Sequence, residues 1–330
     1  MNKKLWQILA IFGVIILAFL VPVFITGTYT IHILVMVLIY VVLSSSLRFI
    51  NLTGQLSLGH GGMMALGAYA SALLVTRFEY STWVTLLLGG VVAALLALII
   101  GFPFGRLKGI YFAMITIFLA QVIRLVLKQW RDLTGGTTGF LGIPPLDGIH
   151  ILGLNIDFVS RVDHYYFALV ITIIILFILY YLEHSRIGIK FSALRQSDAL
   201  AESVGINTAA YKVIALVIGC FCAGFIGAFY AHYIKVMRPD TFGFFFALYI
   251  MIYMVVGGQR KYVGPIIGAV ILVILSEYLS GVKQYQPLIF ATALLVIILF
   301  LPEGLVGLPG RFKKLFKSRK AIPGGQTGGQ

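Results

Sequence analysis

Ten apolar runs, separated by short polar or charged intervals, divide the chain: 6–26, 30–47, 56–75, 83–101, 110–127, 164–182, 212–234, 243–257, 262–280 and 286–301. A helix needs about 20 apolar residues to cross the hydrocarbon core of a bilayer. The pattern therefore predicts an all-α, polytopic membrane protein with about ten transmembrane helices. The run 243–257 is short, which predicts a tilted or broken crossing. Two polar intervals are too long to be simple connectors, 128–163 and 183–211.

The third run is unlike the others. It begins "GQLSLGHGGMMALGAYASALL", Gly54 to Leu74, with glycines at 54, 59, 61, 62 and 67 beside Gln55, Ser57 and His60. Each glycine costs roughly 1 kcal/mol against alanine inside an ordinary helix. Two readings fit. Glycines let neighbouring helices approach closely. They also let the chain break where irregular backbone is buried or lines a cavity, the only places a membrane tolerates it.

Composition strengthens the membrane reading. The chain is 60% hydrophobic with a mean hydropathy of +1.01. Only 11% of it is charged, against roughly 25% in soluble domains. The net charge of +14 is spread between the apolar runs, with one cluster near the C-terminus. Nucleic-acid binding needs a fold that presents a basic patch, so no nucleic-acid partner is expected and the charge reads as anchoring at the lipid bilayer. With the N-terminus inside, 17 of the 25 Lys and Arg residues fall on the inner side and 8 on the outer. That bias predicts both termini in the cytoplasm. The first run exceeds the length of a signal-peptide core, and no clear small-x-small site follows it, so it reads as an uncleaved span. The organisation expected is one membrane domain, 1–310, with an external loop at 128–163 and a cytoplasmic loop at 183–211. A basic, disordered cytoplasmic tail follows, 311–330.

Little in the sequence suggests catalysis. Cys220 and Cys222 lie two apart in one predicted helix and point in different directions. Glu277 is the one acidic residue clearly inside a predicted span, near its outer end, where snorkelling explains it. No P-loop pattern occurs, and the histidines have no metal-ligand spacing. His32 and His60 read as packed polar residues. The stripe Gly219, Ala223, Gly227 and Ala231 predicts a smooth helix face, for packing within the chain or against a second subunit.

The interval 183–211 contains "SDALAESVG". Ser197 or Asp198 can cap a helix start and Gly205 can end it. A short cytoplasmic helix follows, its apolar face carrying Leu200, Ala201 and Val204. Such a face offered to water suits docking into another protein.

At this segment the sequence resembles a known family. "ALRQSDALAESVGINTAAYK" is similar to the cytoplasmic coupling segment of ABC importer permeases, in the form used by the branched-chain amino acid family. "GQLSLGHGGMMALGAYAS", "KGIYFAMITIFLAQVIRLVLKQWRDLTGGTTGFLGIP", "GGQRKYVGPIIGA" and "LPEGLVG" resemble further segments in the same order, from Gly54 to Gly307. The LivM-type subunit is the nearer form. The resemblance implies an ABC importer permease fold in the bacterial cytoplasmic membrane. It also implies a second related permease subunit, two ABC ATPase subunits and an extracytoplasmic substrate-binding protein. ATP would be used by the partner subunits, with no cofactor or ATPase site in this chain. Ala201, Glu202 and Gly205 match positions of the family's coupling motif, flanked by Leu200 and Val204. The implied cargo is a branched-chain amino acid; urea, short amides or a nucleoside stand as alternatives. An ion-coupled secondary transporter is the rival of another class. If the glycine-rich stretch borders the translocation path, Gln55, Ser57, His60, Gly61 and Gly62 line it.

Overall fold

Backbone polar groups find no partners in lipid, so spanning segments satisfy them internally as helices. The computed structural model describes residues 3–24, 27–105, 107, 109–151, 154–158, 160–279, 284–285, 288–292, 295 and 304–307. The long helices are α1 (Lys3–Phe24), α2 (Thr28–Asn51), α3 (His60–Phe78), α4 (Thr82–Phe104), α5 (Gly109–Gln129), α7 (Arg161–His184) and α10 (Thr208–Ile234). Between α5 and α7 lies the single turn α6 (Arg131–Thr134); before α10 come α8 (Arg186–Gln196) and α9 (Asp198–Ser203). Two shorter apolar helices follow, α11 (Phe244–Gly257) and α12 (Gly264–Tyr278). Four short strands pair as two antiparallel ribbons: β1 (Phe140–Leu141) with β4 (Val236–Met237), and β2 (Ile149–Ile151) with β3 (Leu154–Ile156).

Among the described residues, five helices are long and apolar enough to cross a membrane: α2, α4, α5, α7 and α10. Helix α3 has comparable length but carries glycine, serine and histidine. It tolerates them because most of its residues, from His60 to Val75, are buried against neighbouring helices. Nine of the ten expected runs coincide with helices; most of run 286–301 and the tail after Gly307 lie outside the described residues.

Helix α10 is the centre of the bundle, packed on α2, α3 and α4. A side chain on Gly67 of α3 would begin 2.2 Å from the carbonyl oxygen of Gly224 on α10. Two glycine backbones in contact bring these axes closer than side chains allow. The stripe Gly219, Ala223, Gly227 and Ala231 is buried within the chain, Gly219 on Ile50 and Gly227 on Met64. That outcome favours packing inside the chain over a subunit contact.

The helices alternate between two ends. At the loop end, β1 pairs with β4 and Asp147 accepts from the backbone of Thr82 at 2.7 Å. There Arg124 and Lys128 of α5 meet Asp240. Ser160 starts α7 with a capping box shared with Asp163, and the Tyr29 hydroxyl donates to Glu277. The basic end gathers the finish of α2, the start of α3, the finish of α4, helices α8 and α9, and the turn from α11 to α12.

Three expectations need correction. Run 56–75 does not begin as helix: residues 55–59 form no regular structure and α3 starts at His60. Interval 183–211 holds two helices rather than one, because α8 (RIGIKFSALRQ) uses Ser185 as its cap. Interval 128–163 carries α6 and three of the four strands.

Candidate functional site

Two candidate regions meet at the basic end. The first is α9. Ser197 accepts a hydrogen bond from the Leu200 amide at 3.4 Å and starts the helix. Gly205, at φ +80°, reverses the chain at the other end, with its own amide bonded to Glu202 O at 2.9 Å. The left-handed region favours glycine there. Lys212 Nζ reaches across from α10 to the Asp198 carboxylate, both groups being almost wholly buried. The Thr208 hydroxyl donates to Glu202 Oε1 at 2.6 Å.

These bonds fix the rotation of α9. Leu200 is 70% exposed and Val204 73%, so the expected docking face exists. Ala201 does not belong to it. It is 2% exposed, turned inward because Asp198 and Glu202, on the neighbouring turns, are both tied to α10. Glu202 is likewise engaged within the chain, and Gly205 shapes the turn. A cleft of about 590 Å³ opens beside α9, lined by Asp198, Glu202, Asn207, Thr208 and Lys212.

The second region is the irregular stretch before α3. Gln55, Ser57, His60, Gly61 and Gly62 are all buried. Gln55 Nε2 reaches the carbonyls of Gly105 at 3.3 Å and Leu107 at 3.4 Å, beyond α4. Ser57 Oγ accepts from the Gly59 amide at 3.3 Å, and Thr116 of α5 accepts from the Leu58 amide at 3.0 Å. The irregular backbone is thus satisfied by protein, as its surroundings require. The Ser46 hydroxyl donates to Leu43 O, so His60 Nε2–H donates to Ser46 Oγ, 3.0 Å away. His60 Nδ1 and Gln55 Oε1 are buried acceptors with no partner among the described residues. A side chain on Gly61 would meet the Phe246 ring, and one on Gly62 the backbone of Ala120. Those two glycines face packed neighbours rather than open space.

The turn before the second region lies against α8, the helix that leads into α9. A side chain on Gly54 would come within 3.7 Å of the Arg195 Cα on α8, and Phe49 of α2 packs edge-on against Phe191 of α8, with ring centroids 5.5 Å apart. Burial, then the like charges of Arg260 and Arg48, push Arg195 below the ordinary guanidinium value. Sequence reasoning missed Arg48 and Glu183, whose side chains join at 2.7 Å. An arginine inside the last turn of an apolar helix was the available signal.

Comparison with known proteins identifies the family. The family described as "Branched-chain amino acid transport system / permease component" matches residues 29–301. The high-affinity branched-chain amino acid transport system permease protein LivM of Escherichia coli (strain K12) is 28% identical over 319 residues, covering 91% of this chain and 75% of that protein. The corresponding LivH protein of Salmonella typhimurium is 23% identical over 274 residues, covering 78% of this chain and 88% of that protein. A nucleoside ABC transporter permease protein, NupC of Lactococcus lactis subsp. cremoris, is 23% identical over 197 residues, covering 55% of this chain and 60% of its own length. No solved structure matches the chain. A match over most of the chain, on a bundle of membrane-length helices with an outward-facing short helix at one end, makes this protein a member of the branched-chain amino acid transport system permease family.

Proposed function

We infer that this chain is the LivM-type membrane-spanning subunit of an ATP-driven ABC importer that carries branched-chain or similar hydrophobic amino acids across the bacterial cytoplasmic membrane. The observation that carries this reading is the similarity to LivM across 91% of the chain. The chain supplies the route and no fuel. A second related permease completes the pore, two ABC ATPases dock on the basic end, and an extracytoplasmic receptor delivers substrate to the loop end.

The excess of Lys and Arg at the basic end supports a cytoplasmic position for it. The alternation of helix ends among the described residues supports nine crossings, and run 286–301 would add the tenth and return the C-terminus to the inside. Helix α9 then meets the ATPases through Leu200 and Val204, while Ala201, Glu202 and Gly205 hold its shape and rotation. The irregular stretch 55–59 lies at the cytoplasmic mouth of the path, and Gln55, Ser57 and His60 form its polar wall when the mouth opens. Rocking of the helices between two access states performs the transport.

Purification from the native membrane tests the assembly: the ATPases and a sister permease are expected to copurify. The receptor, isolated and titrated with leucine, isoleucine and valine, is expected to bind them. Uphill transport by this chain alone in liposomes, driven by an ion gradient, would end the reading. A receptor that binds nucleosides instead would move the cargo toward that of the Lactococcus relative.

A further inference from the structure

One guanidinium holds three elements at the basic end. Arg48 sits in the last turn of α2 and is 3% exposed. Its two terminal nitrogens donate to the two carboxylate oxygens of Glu183 at 2.8 and 2.7 Å. Its Nε donates to the Gln259 carbonyl at 3.2 Å, in the turn between α11 and α12. The Tyr262 ring lies 5.7 Å from its centre, and Asn51 of α2 donates to the Gln259 side chain at 2.7 Å.

The position of Glu183 gives the contact its meaning. It is the penultimate residue of α7, and α8 begins three residues later at Arg186. Displacement of α8 and α9 therefore moves this carboxylate first. On the other side, α2 leads through residues 52–54 directly into the irregular stretch before α3. Stability alone does not explain such a pair. Burying two charges costs about as much as their attraction returns, and well-packed apolar residues of similar size often serve as well. The paired forks differ from an apolar contact in being directional. They hold at one relative position, whereas apolar surfaces slide.

We propose that Arg48 is the positioning residue through which movement of α8 and α9 reaches α2, the α11–α12 turn and the cytoplasmic mouth. The proposal rests on the importer reading given above. It predicts that the link can be removed without unfolding the protein.

The test uses the complete transporter in proteoliposomes, with both permeases, the ATPases and the receptor, and leucine as the probe. Membrane abundance, thermal midpoint, ATP hydrolysis and leucine uptake are measured together. Arg48→Met combined with Glu183→Leu is expected to keep abundance and midpoint near those of the unchanged protein. Its uptake per ATP hydrolysed is expected to fall about tenfold, within the range of typical coupling between sites. Arg48→Lys keeps the charge but loses the fork, and is expected to lower the same ratio by about fivefold. An unchanged ratio in the double variant overturns the proposal. If the double variant is not inserted, an unchanged ratio in Arg48→Lys overturns it. If the unchanged transporter shows no ATP-dependent uptake, the importer reading itself falls, and the relay falls with it.

Discussion

Gln55 closes the end of α4: its Nε2 lies 3.3 Å from the carbonyl oxygen of Gly105, fifty positions along the chain. The last carbonyls of a helix have no partner within it, and Gln55 supplies one. Gln55→Met keeps the shape and removes the donor. The expected loss is about 1–3 kcal/mol, the cost of leaving a buried polar group unmet. Thermal unfolding in detergent measures it. The role of Gln55, Ser57 and His60 as the wall of a path has a separate test. Single cysteines from 55 to 60 are expected to react with a polar thiol reagent in one transport state. Protection of all of them in every state would leave these residues a purely structural part.

Asp198 and Lys212 fix α9 to α10, with Lys212 2% and Asp198 10% exposed at their side chains. Lys212→Met removes the cation from a buried carboxylate, and the expected cost is up to about 3–5 kcal/mol. Pairing it with Asp198→Leu removes both charges and is expected to recover much of the loss. Denaturant or thermal unfolding of the three variants gives the coupling directly. Additive losses in the double variant would mean that the two side chains do not depend on one another.

How legible this protein was depends on the range of the interaction concerned. The long helices are visible because a membrane forces apolar runs into helices, and α9 is visible because Ser197 and Gly205 punctuate it locally. The start of α3 was set four residues too early, since Leu56 and Leu58 read as helical. The Leu58 amide instead donates to Thr116, on another helix. Ala201 was placed on the wrong face of α9 for the same kind of reason. Spacing gives which residues share a face, but the ties from Asp198 to Lys212 and from Glu202 to Thr208 decide which face looks out. The Arg48–Glu183 joint spans 135 positions and left no mark beyond a charge in an apolar helix. Helix α8 was hidden by its charges, because it lies on the surface rather than in the apolar pattern.

Asp240 offers a test in pH. Hydrogen bonding to Lys128, aided by the nearby Lys128 and Arg124 charges, holds its carboxyl below the ordinary value of 3.8. The carboxylate is thus favoured in the folded protein. The stabilisation is complete above the unfolded-state value and is lost as pH falls through the lower, folded-state one. No change is expected between pH 7 and about 5, and a decline is expected below about 4. Asp240→Asn should lose this part of the acid limb while retaining the rest. Because the group is exposed, added salt should shrink the difference between the two proteins. Thermal midpoints across pH, at low and high salt, provide the measurement. An identical acid limb in the variant would show that the pair contributes nothing.

Leu200 and Val204 stand out from α9 with about 70% of their surfaces in solvent, while the helix beneath them is locked to α10. A rigid base with free apolar tips suits insertion into a groove on a partner. Replacing both by serine removes buried area only when the partner is present. The stability of this chain is expected to stay within about 0.5 kcal/mol of its starting value, as for ordinary surface changes. Retention of the ATPases is expected to weaken by at least about a hundredfold, since losing two apolar anchors removes roughly 1.5–3 kcal/mol each. Affinity of the purified ATPases for detergent-solubilised permease, titrated for both proteins, checks this outcome. A second variant, Ile189→Ser, serves as the comparison: it changes a side chain 69% exposed on α8, away from the tips. Equal weakening by both would spread the contact along α8 as well as α9. No weakening by the Leu200 and Val204 changes would remove α9 from the interface.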